Sequence, residues 1–287
     1  MRGYPSGPDR APGVPASVAA LLAAGGLYLA VARLAFQRQF AYRAANLAGL
    51  ATNIFFGALR AYVLIALFGA RSEVAGFSVG DSVTYTGLTQ ALLSYVAIFA
   101  WWDLMRTIRT GEVASDLTRP LDFYWYWCAQ DIGRAVCQLV LRGLPIFVLY
   151  ALVYRITLPP TPAHWLALLP SLVFALFVSF SWRFVVSLSA FWTVDAVGVG
   201  RFAWTISMFL SGFLMPVAFF PPWMSALMRL TPFPGMINTP VEIYLGLVTG
   251  RTLLSALAAQ LGWGLALYVV SRLVLAAGVK KLVVQGG

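Results

Sequence analysis

The sequence predicts an all-α membrane protein: six transmembrane helices, an N-terminal interfacial helix, and an outer re-entrant hairpin between spans five and six. Three observations carry this. Of 287 residues, 60% are hydrophobic and only 10% charged, against about 25% charged in an ordinary soluble domain; the mean hydropathy is +0.80. So few charges cannot cover a soluble chain of this length, which excludes a cytosolic enzyme, a secreted disulfide scaffold and a disordered chain. Six apolar stretches reach the ~20 residues that a membrane helix needs: 47–69, 82–105, 135–157, 165–193, 202–222 and 252–277. None alternates as the strands of a transmembrane barrel do.

Along the chain, residues 1–16 are Pro/Gly-rich and read as a flexible N-terminus. Residues 17–46 read as a helix on the cytoplasmic interface. Leu29, Phe36, Phe40 and Leu47 share one face, while Arg38 and Asn46 point elsewhere, so the arginines would lie near lipid phosphates. A seventh span at 17–32 is the alternative. A signal peptide fits poorly, because Arg33, Arg38 and Arg43 follow directly with no clear cleavage site. Residues 47–287 form the six-span domain. With both ends inside, the inner segments hold 13 Arg and Lys and the outer loops hold 4, namely Arg71, Arg155, Arg229 and Arg251. That asymmetry predicts an N-in, C-in orientation, and it accounts for the net charge of +10 without nucleic acid as a partner. Trp101, Trp102, Trp125, Trp127, Trp165 and Trp223 fall near predicted span ends, as interfacial belts do.

The chemistry of covalent catalysis is missing. No GxxxxGK[ST] loop exists, since the only lysines are Lys280 and Lys281 followed by Leu282. There is no HExxH. The single histidine, His164, sits in the turn LPPTPAHW and reads as solvated. Asp116 and Asp122 flank Arg119-Pro120 and read as solvated surface. Cys128 and Cys137 match no disulfide, zinc or redox spacing and read as free thiols. No catalytic residue, metal site or cofactor is expected in this chain.

The inner loop 106–134 holds the densest charge, with both signs mixed. Gly111 should break the helix leaving the membrane. Glu112 to Leu117 can form a short helix with acid near its start, where the dipole favours it. Pro120 should end it, and Phe123-Tyr-Trp-Tyr-Trp127 returns the chain to the interface. Two readings stand side by side: a lever that a soluble partner grips, or a solvated connector. The hairpin 223–248, led by Pro221 and Pro222, stays apolar despite Pro232, Pro234 and Pro240. Broken backbone at membrane depth is tolerated only when buried in protein or lining a cavity, so the segment reads as a re-entrant cap on the outer mouth; a loop lying on the interface is the alternative.

Within the spans, Thr86, Gln90 and Ser94 follow i, i+4, i+8, as do Ser207, Ser211 and Met215, while Asn53 sits in the first span. Each is either a helix-to-helix hydrogen bond, worth about 0.6–2 kcal/mol, or part of a pathway wall for an amphipathic compound. Arg60 lies near mid-span, where intramembrane charge faces a cavity or a partner; Thr86 and Gln90 are its expected companions. Arg142 and Arg183, nearer the inner face, read as snorkelling. No acid is expected near a span centre.

The stretch GE-x-x-x-DLTRPLD resembles the GELDxxLLRPL loop of a bacterial permease family among the type-2 ATP-binding-cassette (ABC-2) exporters. FQRQFAYRAANLAG is similar to that family's basic entry into its first span. FLSGFLMPVAFFPPWMSALMRLTPFPGMINTPVEIYLG is similar to its fifth span and proline-broken hairpin. The resemblance implies a half-transporter of the bacterial inner membrane, exporting a drug, lipid, peptide or glycoconjugate. Its partners would be membrane lipids, a second permease chain, the same or homologous, forming a dimer, and cytoplasmic ABC ATPase subunits that hold ATP and Mg²⁺. Carried over by motif, Gly111, Glu112, Asp116, Leu117, Arg119 and Pro120 would couple to the ATPase, although Ala114, Ser115 and Thr118 depart from the family's larger apolar residues. A secondary transporter, a membrane-embedded enzyme and a non-catalytic scaffold are the rival readings.

Overall fold

The computed structural model describes residues 16–98, 102–193 and 196–281, with the backbone alone for 16–24. The N-terminal segment expected to be flexible and the interfacial Trp101 lie outside the described residues, apart from Ala16. The strands among the described residues form one two-stranded antiparallel hairpin, β1 (Glu73–Val74) with β2 (Phe77–Ser78), and the rest is helices and their connections.

Helix α1 (Ala16–Gln39) passes through one 3₁₀ turn, Phe40–Tyr42, into α2 (Arg43–Phe68). After the hairpin, α3 (Val79–Tyr95) starts from a capping box, in which the Ser78 hydroxyl accepts from the Asp81 N–H and the Asp81 carboxylate accepts from the Ser78 N–H. Two short helices follow, α4 (Asp103–Thr110) and α5 (Val113–Leu117). Then α6 (Phe123–Gln138) runs through a π-helical stretch, Leu139–Gly143, into α7 (Leu144–Val153). The long α8 (Pro162–Leu188) is followed by α9 (Ala196–Leu210), α10 (Pro222–Arg229), α11 (Asn238–Tyr244) and α12 (Gly250–Val279).

Among the described residues, four helical stretches are long and apolar enough to cross a membrane: Gly25–Phe68, Phe123–Val153, Pro162–Phe191 and Gly250–Val279; Ala196–Leu210 is a shorter apolar helix. Several expected span bounds shift. The third span was expected from 135, but its helix begins at Phe123, inside the segment read as loop. Asp122 caps it by accepting from the Trp125 N–H at 3.1 Å, and the aromatic run turns inward to pack.

The expected span 82–105 is not one helix, because α3 stops at Tyr95. Its last carbonyls are satisfied from elsewhere: Arg134 donates to the Ser94 and Tyr95 carbonyls at 2.7 and 2.9 Å, and the Ser179 hydroxyl donates to Val96. The expected span 202–222 likewise stops being helical at Leu210. Gly212 there takes φ +80, and a Cβ on it would collide with the Tyr85 hydroxyl and Asn238.

Helix α8 is the hub of the bundle, touching α12, α11, α4, α6 and α9. One apolar core gathers α3, α8 and the segment after α9, with Tyr85, Leu92, Val178 and Ile237 fully or nearly buried. A second ties one end together: Leu104, Ile108 and Val113 pack with Tyr124, Phe180, Phe184 and Leu188. Helix α1 lies against α6, so close that a Cβ on Gly133 would overlap the Ala32 carbonyl. The hairpin region folds as α10, a 3₁₀ turn (Phe233–Met236) and α11, and α11 is buried throughout Pro240–Tyr244. The broken backbone of 233–244 therefore sits in protein, while most of α10, with Pro221, Pro222 and Trp223, is exposed.

Candidate functional site

Three places in the fold concentrate polar chemistry. The first is the turn built by α4 and α5. Helix α4 buries Leu104, Met105 and Ile108 and exposes Arg106, Arg109 and Thr110. Asp103 opens it and Arg109 closes it, the signs its dipole favours. Gly111 ends it in the left-handed conformation at φ +78, as a helix-terminating glycine does. The chain then turns into α5, with Glu112 at its N-cap instead of inside the helix.

Val113 is fully buried and roots α5 in the second core. Glu112, Ser115, Thr118, Arg119 and Pro120 face outward. The helix ends at Leu117, before the Arg119-Pro120 pair reaches it.

Asp116 is buried, not solvated. Its carboxylate accepts from Arg119 Nε at 3.0 Å, and the Arg119 guanidinium lies 4.9 Å over the Tyr126 ring. Burial lifts the Asp116 carboxyl above the usual carboxylate range, against the opposing pull of Arg119. Asp122 is also engaged: beyond capping α6, it pairs with Arg272 on α12, and its N–H donates to the Tyr28 hydroxyl on α1 at 3.1 Å. The turn is thus fastened at its exit to α1 and α12 and at its root to α8, while its outward face carries both charge signs.

The second place is a charge cluster that the sequence did not disclose. Asp131 on α6 is 1% exposed and accepts from Arg134 Nε at 2.8 Å and from Arg183 Nη2 at 2.6 Å. Arg183 Nη1 adds a bond at 3.2 Å, and its Nε donates to the Ser179 hydroxyl at 3.3 Å. Two expectations are corrected here. Arg183 is buried against a carboxylate and does not snorkel, and an acid does lie within a long apolar helix. Arg142 does not simply snorkel either: it donates to Asn53 Oδ1 at 3.2 Å. A lone arginine inside the apolar run of α8 was the available signal; its partner sat in a segment read as loop.

The third place is the break after α9. The Arg60 guanidinium donates to the Phe213 carbonyl and, at 3.2 Å, to the Leu214 carbonyl, and lies 4.5 Å over the Phe213 ring. Thr89, and not the expected Thr86 or Gln90, is its hydroxyl neighbour at 3.3 Å. The Tyr85 hydroxyl donates to the Gly212 carbonyl at 2.6 Å, and the Asn238 N–H donates to the Ser211 carbonyl at 3.1 Å. Every carbonyl from Ser211 to Leu214 therefore has a partner.

The other polar candidates are dispersed. Thr86 bonds within its own helix to Ser82, and Gln90 is buried beside Gly57. Ser94 contributes its carbonyl to Arg134. Ser207 accepts from the Trp182 indole at 2.9 Å, while Ser211 and Met215 lie beyond the end of α9, so the expected second stripe is broken.

His164 is buried at the start of α8, not solvated, between the Thr161 hydroxyl and the Val248 carbonyl at 2.8 and 3.2 Å. Cys128 and Cys137 are buried free thiols.

A family model described as ABC-2 family transporter protein matches residues 54–286. No curated protein matches the chain. The matched region takes in the turn of α4 and α5, the Asp131 cluster, the break after α9 and the buried α11. Its long apolar helices and the match over most of its length place the chain in the ABC-2 transporter family, as a multi-pass membrane component that is not itself an ATPase.

Proposed function

We propose that the chain is the permease subunit of an ATP-driven exporter in a bacterial inner membrane. It would pair with a second permease chain and dock on separate cytoplasmic ATPase subunits that hold ATP and Mg²⁺. Six spans result when α3 and α9 are counted with the four long helical stretches, each continued by the irregular segment that follows it. The α10–α11 segment is then the re-entrant cap on the outer mouth. The transported compound is amphipathic, in keeping with seams that are aromatic, hydroxyl-bearing and largely uncharged.

The observation that carries this is the turn of α4 and α5. Its outer face presents Arg109, Glu112, Ser115 and Arg119 to solvent, while Val113 and Leu104 lock it to the α8 core. A connector needs neither the buried root nor the fastening of Asp122 to α1 and α12. A push on Glu112 or Arg119 would pass through Val113 to α8 and through Asp122 to α12.

Secondary transport is disfavoured by the geometry of Asp131. The acid in the long apolar helix has both oxygens already held by guanidinium groups and so is engaged within the bundle.

The test is Ser115→Trp, which adds bulk on the exposed face without touching the root. The permease should insert and purify as the wild type does, while copurification with its ATPase and ATP-dependent efflux fall about tenfold or more, the scale of a blocked interface centre. Normal copurification and efflux would reduce the turn to a connector.

A further inference from the structure

At the end of the bundle that carries α4, an open polar cavity of about 480 Å³ lies between α1, α2, α4 and α6. Its wall brings together Arg38, Arg106, Arg134 and Arg142, with Asp103 as the one acid, and Asn46 beside them. Four guanidinium groups converging on one hollow repel each other unless something negative is there.

The fold's own acids supply only part of it. Arg134 is spent on Asp131 and on the carbonyls that end α3. Arg142 reaches Asn53 with one nitrogen, but its buried Nε has no partner. The Arg38 and Arg106 side chains are exposed and stand outside the ion pairs among the described residues. The volume falls in the range of about 300–1,000 Å³ that ligand sites occupy, and the lining is mixed, with hydrogen-bond donors of fork geometry suited to phosphate oxygens.

We propose that this cavity binds the phosphate-bearing headgroup of an anionic phospholipid. Phosphate chemistry would also suit a free anion, but the surroundings favour a lipid. Phe40 and Leu47 stand exposed, 41% and 67% accessible, on the same α1–α2 hinge that provides Arg38 and Asn46 to the cavity wall. An acyl chain can lie along them while its headgroup sits among the arginines. Basic pockets between helices at the membrane surface take such headgroups. Because α4 contributes Asp103 and Arg106, a bound lipid would brace the helix that leads into the outward turn, and would link it to α1. The site does not depend on any ATPase, so its test separates from that of the coupling turn.

The experiment places the purified full chain in nanodiscs of phosphatidylcholine, with and without phosphatidylglycerol, and reads co-retained lipid by native mass spectrometry. Phosphatidylglycerol should be retained preferentially. Each arginine near the surface is worth about a further fivefold in affinity for anionic lipid, so Arg38→Gln/Arg106→Gln should lower that retention roughly tenfold to thirtyfold. Both side chains are exposed and outside those ion pairs, so the variant should fold. Arg71→Gln, in the loop before β1, should retain lipid as the wild type does.

Equal retention of the two lipids would overturn the proposal, as would a double variant that behaves as the wild type. Displacement of the lipid by millimolar inorganic phosphate would reassign the cavity to a soluble anion.

Discussion

Asp131 changes meaning once its neighbours are known. In sequence it belongs to a mixed-charge segment and looks solvated; in the fold its two oxygens meet Arg134 and Arg183 at 2.8 and 2.6 Å. Removing one member of a buried pair strands the other, at a cost of about 3–5 kcal/mol. Asp131→Leu alone and Arg183→Leu alone should each lower the thermal midpoint of the detergent-solubilised protein sharply. The double variant should lose less than the sum of the two, because only Arg134 is then left without its carboxylate, and it keeps the Ser94 and Tyr95 carbonyls as acceptors. Strict additivity would mean that the pair contributes nothing as a pair. Much at this scale was illegible for one reason. An apolar run shows that a residue is in a span, but not which face of that span meets which other helix. Arg60 and Arg183 were therefore visible as costly charges, while Thr89, Phe213 and Asp131 were not visible as their partners.

At the scale of elements, the apolar runs were legible and several of their ends were not. A run such as 202–222 stays apolar past Leu210, so nothing local marks where the helix stops. What stops it is supplied from far along the chain. Gly212, Phe213 and Leu214 turn their carbonyls to Tyr85 and Arg60, just as Ser94 and Tyr95 turn theirs to Arg134. A helix end in an apolar bundle needs such donors, because water is not there to serve. Each arginine thus lets one helix end inside the bundle. By contrast, Gly111 was legible, since a glycine after a short amphipathic helix marks a C-terminus by its own chemistry.

Arg60→Leu tests this role. It removes the charge but leaves two buried carbonyls unpaired, each costing about 1–3 kcal/mol. The variant should insert at wild-type levels, yet protease digestion should cut faster between 211 and 221, with a lower thermal midpoint. Arg60→Lys, which keeps one donor nitrogen on a different stem in place of Nη2, should fall between. An Arg60→Leu protein as resistant and as stable as the wild type would show that the break needs no such clamp.

For the molecule as a whole, its contacts sort the loops into two ends, and the two ends match the arginine asymmetry. At one end Thr157 donates to Asp81 at 2.6 Å, His164 meets Val248, Pro160 packs on Gly246, and Arg229 holds Glu242 through two bonds of 2.8 and 3.2 Å. These contacts join the segments that carry Arg155, Arg229 and the approach to Arg251. At the other end Tyr28 meets Asp122, Asp122 meets Arg272, and Arg38, Arg106, Arg134 and Arg142 ring one cavity. The basic end is therefore a physical end of the bundle and not an artefact of counting along the chain. Since Lys and Arg accumulate on the cytoplasmic side, this end should face inward, with both termini there. Glu73→Cys and Ser115→Cys test it, since both positions are exposed and lie in opposite groups. Background is low, because the native thiols Cys128 and Cys137 are buried. In intact spheroplasts a membrane-impermeant maleimide should label Glu73→Cys and leave Ser115→Cys unlabelled until the membrane is opened. The opposite pattern would invert the protein and move the turn of α4 and α5 out of reach of any cytoplasmic ATPase.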